Sequence, residues 1–197
     1  MMTQPNSPDF RSALAALSDA LKNMDRPAML IGGLAVIARG VPRLTIDIDA
    51  VIHAEGLDLD RLWKVLRDSE LEARVGDAVE IAAERMVLLL QHRPSRVAVD
   101  LSLGWMLFER EAMQRATTVD LDGVPFPVAT PEDLVVLKAV AWRDVDRLDI
   151  TELVVRHHGE MDFARMRRTL TQFFEILEVP ERLEDFDRLV SAALKEA

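Results

Sequence analysis

Apolar residues recur at helical spacing near the start of the chain: Phe10, Leu14, Leu17 and Leu21 share one face of the segment from Asp9 to Met24, which the period predicts as an amphipathic helix. Residues 1–8, MMTQPNSP, are polar and proline-bearing, the composition of a disordered tail. After Pro27 the pattern shortens. A buried strand is expected at 28-AMLI-31, a turn at Gly32-Gly33 and a helix over 34-LAVIARG-40 that stops at Gly40. Leu44 to His53 reads as a strand, and Leu57 to Asp68 as a helix with Leu59, Leu62, Val65 and Leu66 inward. Glu70 to Ser102 reads as sheet, with 85-RMVLLLQH-92 and 96-RVAVDLS-102 flanking a hairpin at Arg93-Pro94-Ser95. A helix near Phe108 to Arg115 follows, then a second hairpin, 117-TTVDL-121 with 124-VPFPV-128, turned at Asp122-Gly123.

The pattern changes at 130-TPEDLVVLKAVAWR-143. Thr130 suits an N-cap, Pro131 the first helical position, and acids fill the first turn, which together mark a helix start. From there to Ala197 the chain reads as wholly helical, with a break at Val179-Pro180. The expected fold class is α+β: an α/β domain over residues 9–128, then a helical region over 129–197.

Composition narrows the function classes. With 197 residues, 49% of them hydrophobic and 29% charged, the chain can bury one substantial core. No apolar run approaches the ~18 residues of a membrane span, and no basic-then-apolar leader opens the sequence, so a cytoplasmic location without membrane attachment is expected. The absence of cysteine excludes disulfides, thiolate zinc sites and cysteine nucleophiles. A net charge of -10 opposes stable DNA binding along phosphates but suits a cationic partner or a bound metal ion.

The candidate chemistry lies in 31-IGGLAVIARGVPRLTIDIDAVI-52. In a strand, Asp47 and Asp49 share one face about 6.6 Å apart, while Ile46, Ile48 and Ala50 take the other. Two like charges ~7 Å apart repel by about 2.4 kcal/mol at an effective dielectric near 20. Keeping both ionised requires solvation or a cation, and Mg²⁺ is the simplest cation because it takes carboxylate and phosphate oxygens. A D-x-D pair alone is common in solvent-facing strands and turns, so its surroundings decide. The Gly32-Gly33 pair sits between strand and helix, where backbone N–H groups can receive phosphate. Asp100 interrupts the apolar strand 97-VAVDLSL-103; it either completes a three-carboxylate cluster or serves as an edge charge. Three acids, a phosphate-receiving turn and Mg²⁺ together describe two-metal phosphoryl or nucleotidyl transfer. In that scheme Asp47 and Asp49 hold the metals that grip a triphosphate. Asp100 helps hold the metal that activates the attacking hydroxyl, and acts as general base.

The order G-G, R-x-T-x-D-x-D, then an aspartate between apolar residues resembles the nucleotidyltransferase fold of the DNA polymerase beta superfamily. Here it is carried by Gly32, Gly33, Arg43, Thr45, Asp47, Asp49 and Asp100. The segment 131-PEDLVVLKAVAWRDVDRLDI-150 is similar to that of minimal nucleotidyltransferases, including AbiEii-type toxins, with Lys138 and Arg143 on its K-x4-R and Asp146 and Asp149 on its following acids. The resemblance spans Met29 to Ile150. It departs at two points: thirteen residues separate Gly33 from Asp47, and the second glycine stands where a serine is usual.

The resemblance implies a mixed β-sheet flanked by helices, with two Mg²⁺ ions during catalysis and an NTP substrate. It implies catalytic and metal-holding roles for Asp47, Asp49 and Asp100, and nucleotide binding by Gly32, Gly33, Arg43, Thr45, Lys138 and Arg143. The acceptor would be RNA, such as tRNA, or a protein hydroxyl, with a toxin role and a cognate antitoxin as partner. Two other readings stand beside it: an aminoglycoside-like antibiotic nucleotidyltransferase, with Glu152, Glu160 and Asp162 as candidate acceptor acids, and a catalytically silent binding module. Lys138 and Arg143 lie about 140° apart around a helix and read equally as solvated charges; Asp146 and Asp149 read equally as capping or solvated acids. His157-His158 suits a helix C-terminus, and 165-RMRR-168 a solvated basic face. Trp63, Trp105 and Trp142 suit packing, as does the stripe of Leu170, Phe173, Phe174 and Leu177.

Overall fold

The computed structural model describes residues 8–76 and 78–197, so the expected tail lies outside it except for Pro8, which opens the first helix. The described residues form two compact units, one built from the chain up to Ala38 with Arg43–Ala129, the other from Arg39–Pro42 with Thr130–Ala197.

In the first unit, α1 (Pro8–Asn23) buries Phe10, Leu14, Leu17 and Leu21 on its predicted face and packs on the helix Leu59–Asp68 and the strand Val124–Val128. β1 (Ala28–Ile31) runs directly into α2 (Gly32–Ala38), so the glycine pair forms the first turn of the helix rather than a separate loop. β2 (Asp47–His53) follows. It starts later than the apolar pattern suggested: Ile46 precedes it at 84% exposure, outside the buried row of Ile48 and Ala50.

α3 (Leu59–Asp68) is capped by the Asp58 side chain and buries Leu62 and Leu66, leaving Leu59 exposed and Val65 half-buried. β3 (Leu71–Ala73) is short. Next comes a helix where sheet was expected, α4 (Ala78–Arg85). Its sequence, AVEIAAER, is rich in alanine and glutamate, the strongest helix formers. β4 (Val87–His92), β5 (Ala98–Gly104) and α5 (Leu107–Arg115) follow. β6 (Thr117–Leu121) and β7 (Val124–Val128) form the second hairpin at its predicted bounds.

The seven strands make one mixed sheet in the order β3-β4-β5-β2-β1-β7-β6. β2 is central, parallel to β5 and antiparallel to β1. Ile48, Ala50, Ile52, Val99, Leu101, Met29 and Leu30 are buried within it, and the area they remove from water is the main force holding the register.

The second unit is helical: α6 (Pro131–Ala141), α7 (Asp144–His157), a short 3₁₀ turn at His158–Glu160, α8 (Phe163–Ile176) and α9 (Arg182–Ala193). The Thr130 side chain caps α6 by accepting from the Asp133 N–H at 3.2 Å. α6 packs on α7 and α8, and α9 packs on α7 and α8, around Leu134, Val136, Ile150, Leu153, Leu170, Phe174 and Phe186. Phe173 and Leu177 fall outside that buried set, and Leu177 is 47% exposed. Among the described residues, no helix is long and apolar enough to cross a membrane.

Candidate active site

Strand pairing decides which polar side chains meet. Asp49 on β2 lies opposite Asp100 on parallel β5 and opposite Ile31 on antiparallel β1. Directly paired residues point to the same face of a sheet, so Asp49 and Asp100 share a transverse row, with Asp47 on the same face two residues away. All three are half-buried. The row continues outward. Asp100 pairs with Leu89 on β4, and the Leu89 carbonyl accepts from the Arg74 N–H at 2.9 Å. Arg74, the residue after β3, therefore reaches Asp100 across the sheet and forms an ion pair with its carboxylate.

The first turn of α2 closes on the same place. Gly32 has φ +64°, a conformation unfavourable for L side chains. A Cβ there would lie 1.9 Å from Asp49 Oδ2, so the bare backbone of Gly32 walls the Asp49 carboxylate. At Gly33, a Cβ would lie 2.7 Å from Thr45 Oγ1 and 3.2 Å from Arg43 Cζ. The space of a serine side chain is thus filled by Thr45 and Arg43, which explains why glycine stands at this position. The Thr45 hydroxyl donates to Asp47 Oδ1 at 3.0 Å, and Arg43 Nε donates to the Leu44 carbonyl at 3.1 Å.

Gly32, Gly33, Arg43, Thr45, Asp47, Asp49 and Asp100 are accordingly neighbours in the α/β unit. Burial raises the pKa of Asp100; Arg74 opposes that rise and the Asp47 charge adds to it. The donor set of three carboxylates matches a hard dication in kind. Among the described residues, however, no three metal-ligating side chains converge on one point, and the cation held by Asp100 is a guanidinium. Sequence reasoning missed Arg74, because only the strand order β3-β4-β5 brings it to the row.

Lys138 and Arg143 belong to the helical unit. Lys138 Nζ donates to Asp146 Oδ1 at 3.1 Å and lies 2.8 Å from Asp149 Oδ2, with side-chain exposures of 7%, 0% and 4% for the three residues. Arg143 donates from its backbone N–H to Asp146 Oδ2 at 3.1 Å and from Nε to the same oxygen at 2.7 Å. Burial favours the neutral form of Asp146, but the hydrogen bonds from Arg143 and Lys138, with the Lys138 charge, outweigh it and hold its pKa below the usual carboxylate range.

The remaining candidates have local duties. His157 Nε2 donates to the Arg39 carbonyl at 2.9 Å. Arg165 bridges Glu132 and Asp133, and Arg167 pairs with Asp187. Asp162 caps α8, while Glu152 and Glu160 are exposed. Trp105 is 68% exposed rather than packed.

Solved structures share the fold. An antigenic nucleotidyltransferase-like protein from Paracoccidioides brasiliensis superposes with TM-score 0.50 at 18% identity, over 87% of this chain and 90% of that one. The antibiotic-resistance factor ANT(2'')-Ia gives 0.48 at 17% identity, over 93% and 95%. The lincosamide antibiotic adenylyltransferase LnuA, with lincomycin bound, gives 0.47 at 17%, over 70% and 91%. Likenesses at such identities concern the fold alone. No curated protein matches the sequence. The family model described as "Nucleotidyltransferase of unknown function (DUF6036)" matches residues 10–192, nearly the whole chain. The chain is therefore a minimal nucleotidyltransferase and belongs to the DUF6036 family.

Proposed function

We propose that the α/β unit transfers a nucleoside monophosphate from an NTP to a hydroxyl acceptor with Mg²⁺ as cofactor, Asp47 and Asp49 holding two ions and Asp100 completing the site as general base. The transverse row carries this reading: β2–β5 pairing sets Asp100 beside Asp49 on the face that also presents Asp47. The acceptor oxygen attacks the α-phosphorus, its bond to phosphorus forms as the bond to pyrophosphate breaks, and the hydroxyl proton passes to the Asp100 carboxylate. When bound, Mg²⁺ neutralises the triphosphate and acidifies the attacking hydroxyl. Gly32 and Gly33 offer backbone donors to phosphate, Thr45 holds Asp47 through its hydroxyl, and Arg43 supplies a positive charge beside Gly33.

Lys138 and Arg143 receive a different assignment from the one the motif suggested. The Lys138 ammonium is buried under two aspartates and Arg143 clamps one of them, so both are assigned to joining α6 to α7.

The acceptor we propose is an RNA, such as tRNA, or a protein hydroxyl, as in the toxin-type enzymes that residues 131–150 resemble. A cognate antitoxin would then be the cellular partner, and the cytoplasm the place of action. The antibiotic reading rests on the acidic composition; of its candidate acids, Asp162 is committed to capping α8.

The test incubates the pure protein with each α-labelled NTP and Mg²⁺, separately with tRNA, protein extract and aminoglycosides. Label on RNA or protein, lost in Asp49→Asn, is the expected result. Label on aminoglycosides alone would replace the acceptor, and label on none of them with a folded protein would overturn the enzymatic reading.

A further inference from the structure

Arg74 is the charged group that the proposed chemistry does not use, yet its guanidinium lies on the third carboxylate of the row. The pair is built rather than incidental. Arg74 extends the β3–β4 ladder through its N–H to Leu89, Leu89 is in register with Asp100, and both side chains are only 32% exposed. The sheet therefore sets the Arg74 backbone where its side chain reaches the Asp100 carboxylate. Without it, Asp47, Asp49 and Asp100 would stand as three acids on one face, with Asp100 desolvated and repelled by Asp47. With it, the Asp100 carboxylate is paired with a cation.

We propose that Arg74 is a built-in counter-cation of Asp100 whose charge lowers the affinity of the carboxylate row for a metal ion. The inference rests on the Mg²⁺ reading above and extends it by naming the group that sets metal affinity. A dication entering beside Asp100 meets the Arg74 charge as well as the carboxylates. A unit charge and a dication about 6 Å apart, in a water-like dielectric, oppose one another enough to weaken binding about tenfold. Metal loading is thereby biased toward Asp47 and Asp49.

The experiment titrates Mn²⁺, which takes the same oxygen ligands, into the full chain without nucleotide and measures free Mn²⁺ by electron paramagnetic resonance. Arg74→Gln is expected to bind Mn²⁺ about tenfold tighter than wild type. The gain should vanish when Asp100→Asn is added to it. Arg74→Lys, which keeps the charge and much of the length, should stay within about twofold of wild type. Circular dichroism establishes that each variant is folded. Equal or weaker binding by Arg74→Gln would overturn the counter-cation role alone, leaving the metal reading in place. Arg74→Lys that binds Mn²⁺ about tenfold tighter than wild type would overturn its charge basis, and this comparison with wild type stands even if the Gln variant does not fold. Absence of Mn²⁺ binding to wild type and variants alike would overturn both readings.

Discussion

A Gly32→Ala substitution places a methyl group 1.9 Å from Asp49 Oδ2, 2.5 Å from its Cγ and 2.6 Å from its Cβ. Ordinary carbon contacts begin near ~3.5 Å, so the carboxylate must retreat by roughly 1.6 Å or the first turn of α2 must move. Neither response is easy. Asp49 sits on the central strand, hydrogen-bonded on both sides by β1 and β5, which confines the adjustment to its side chain. The backbone resists as well, because Gly32 has φ +64° and an L residue there costs about 1–2 kcal/mol. If Asp49 holds the metal that receives the triphosphate, a displacement above ~1 Å lowers transfer by at least about 10²-fold. The assay compares initial rates of label transfer with unfolding in urea. Gly159→Ala serves as control, since a Cβ there meets nothing within 4 Å. The expected result is a stability loss of about 1–3 kcal/mol with a much larger loss of activity. Gly32→Ala that stays folded and keeps transfer within tenfold of wild type would refute the claim that Gly32 sets the position of Asp49.

Thr45→Val removes the hydroxyl that donates to Asp47; a hydrogen bond to a charged group contributes about 1.5–3 kcal/mol, so transfer should fall roughly 10- to 100-fold with the melting temperature little changed. Lys138→Met leaves Asp146 and Asp149 buried without their shared ammonium, and chemical denaturation should show a loss of about 3–5 kcal/mol. The pKa of Asp146 is depressed in the folded state, so the stability it contributes is present above the unfolded value, near ~3.9, and lost as pH falls through the lower folded value. Acid titration of unfolding free energy should thus decline below about pH 4, and Asp146→Asn should flatten that decline.

How far the sequence reached can be seen residue by residue. The 117–128 hairpin was legible because Asp122-Gly123 and period-2 alternation point to the same turn. The start of α6 was legible because Thr130, Pro131 and Asp133 each favour a helix N-terminus. α4 was missed because it is short and its buried positions, Ala78 and Ala82, give little apolar signal. Ile46 was placed on a buried face because alternation cannot show where pairing stops. The two glycines were singled out, but the reason for the second could not be seen. Thr45 and Arg43 occupy that space, and the residues that lie between them and Gly33 in the sequence hide it. Arg74 and Lys138 mark the deeper limit. Their partners depend on strand order in one case and on how α7 folds back on α6 in the other, and neither is encoded in local spacing.

The central claim is that the aspartate row performs the chemistry, and Asp49→Asn tests it most directly, since it keeps the shape of the side chain while removing its charge. With α-labelled NTP, Mg²⁺ and an acceptor that the wild type labels, the account predicts a folded Asp49→Asn protein whose transfer rate falls by about 10³-fold or more, the scale expected when a catalytic metal site is lost. A folded Asp49→Asn protein that transfers label at a rate near wild type would contradict it.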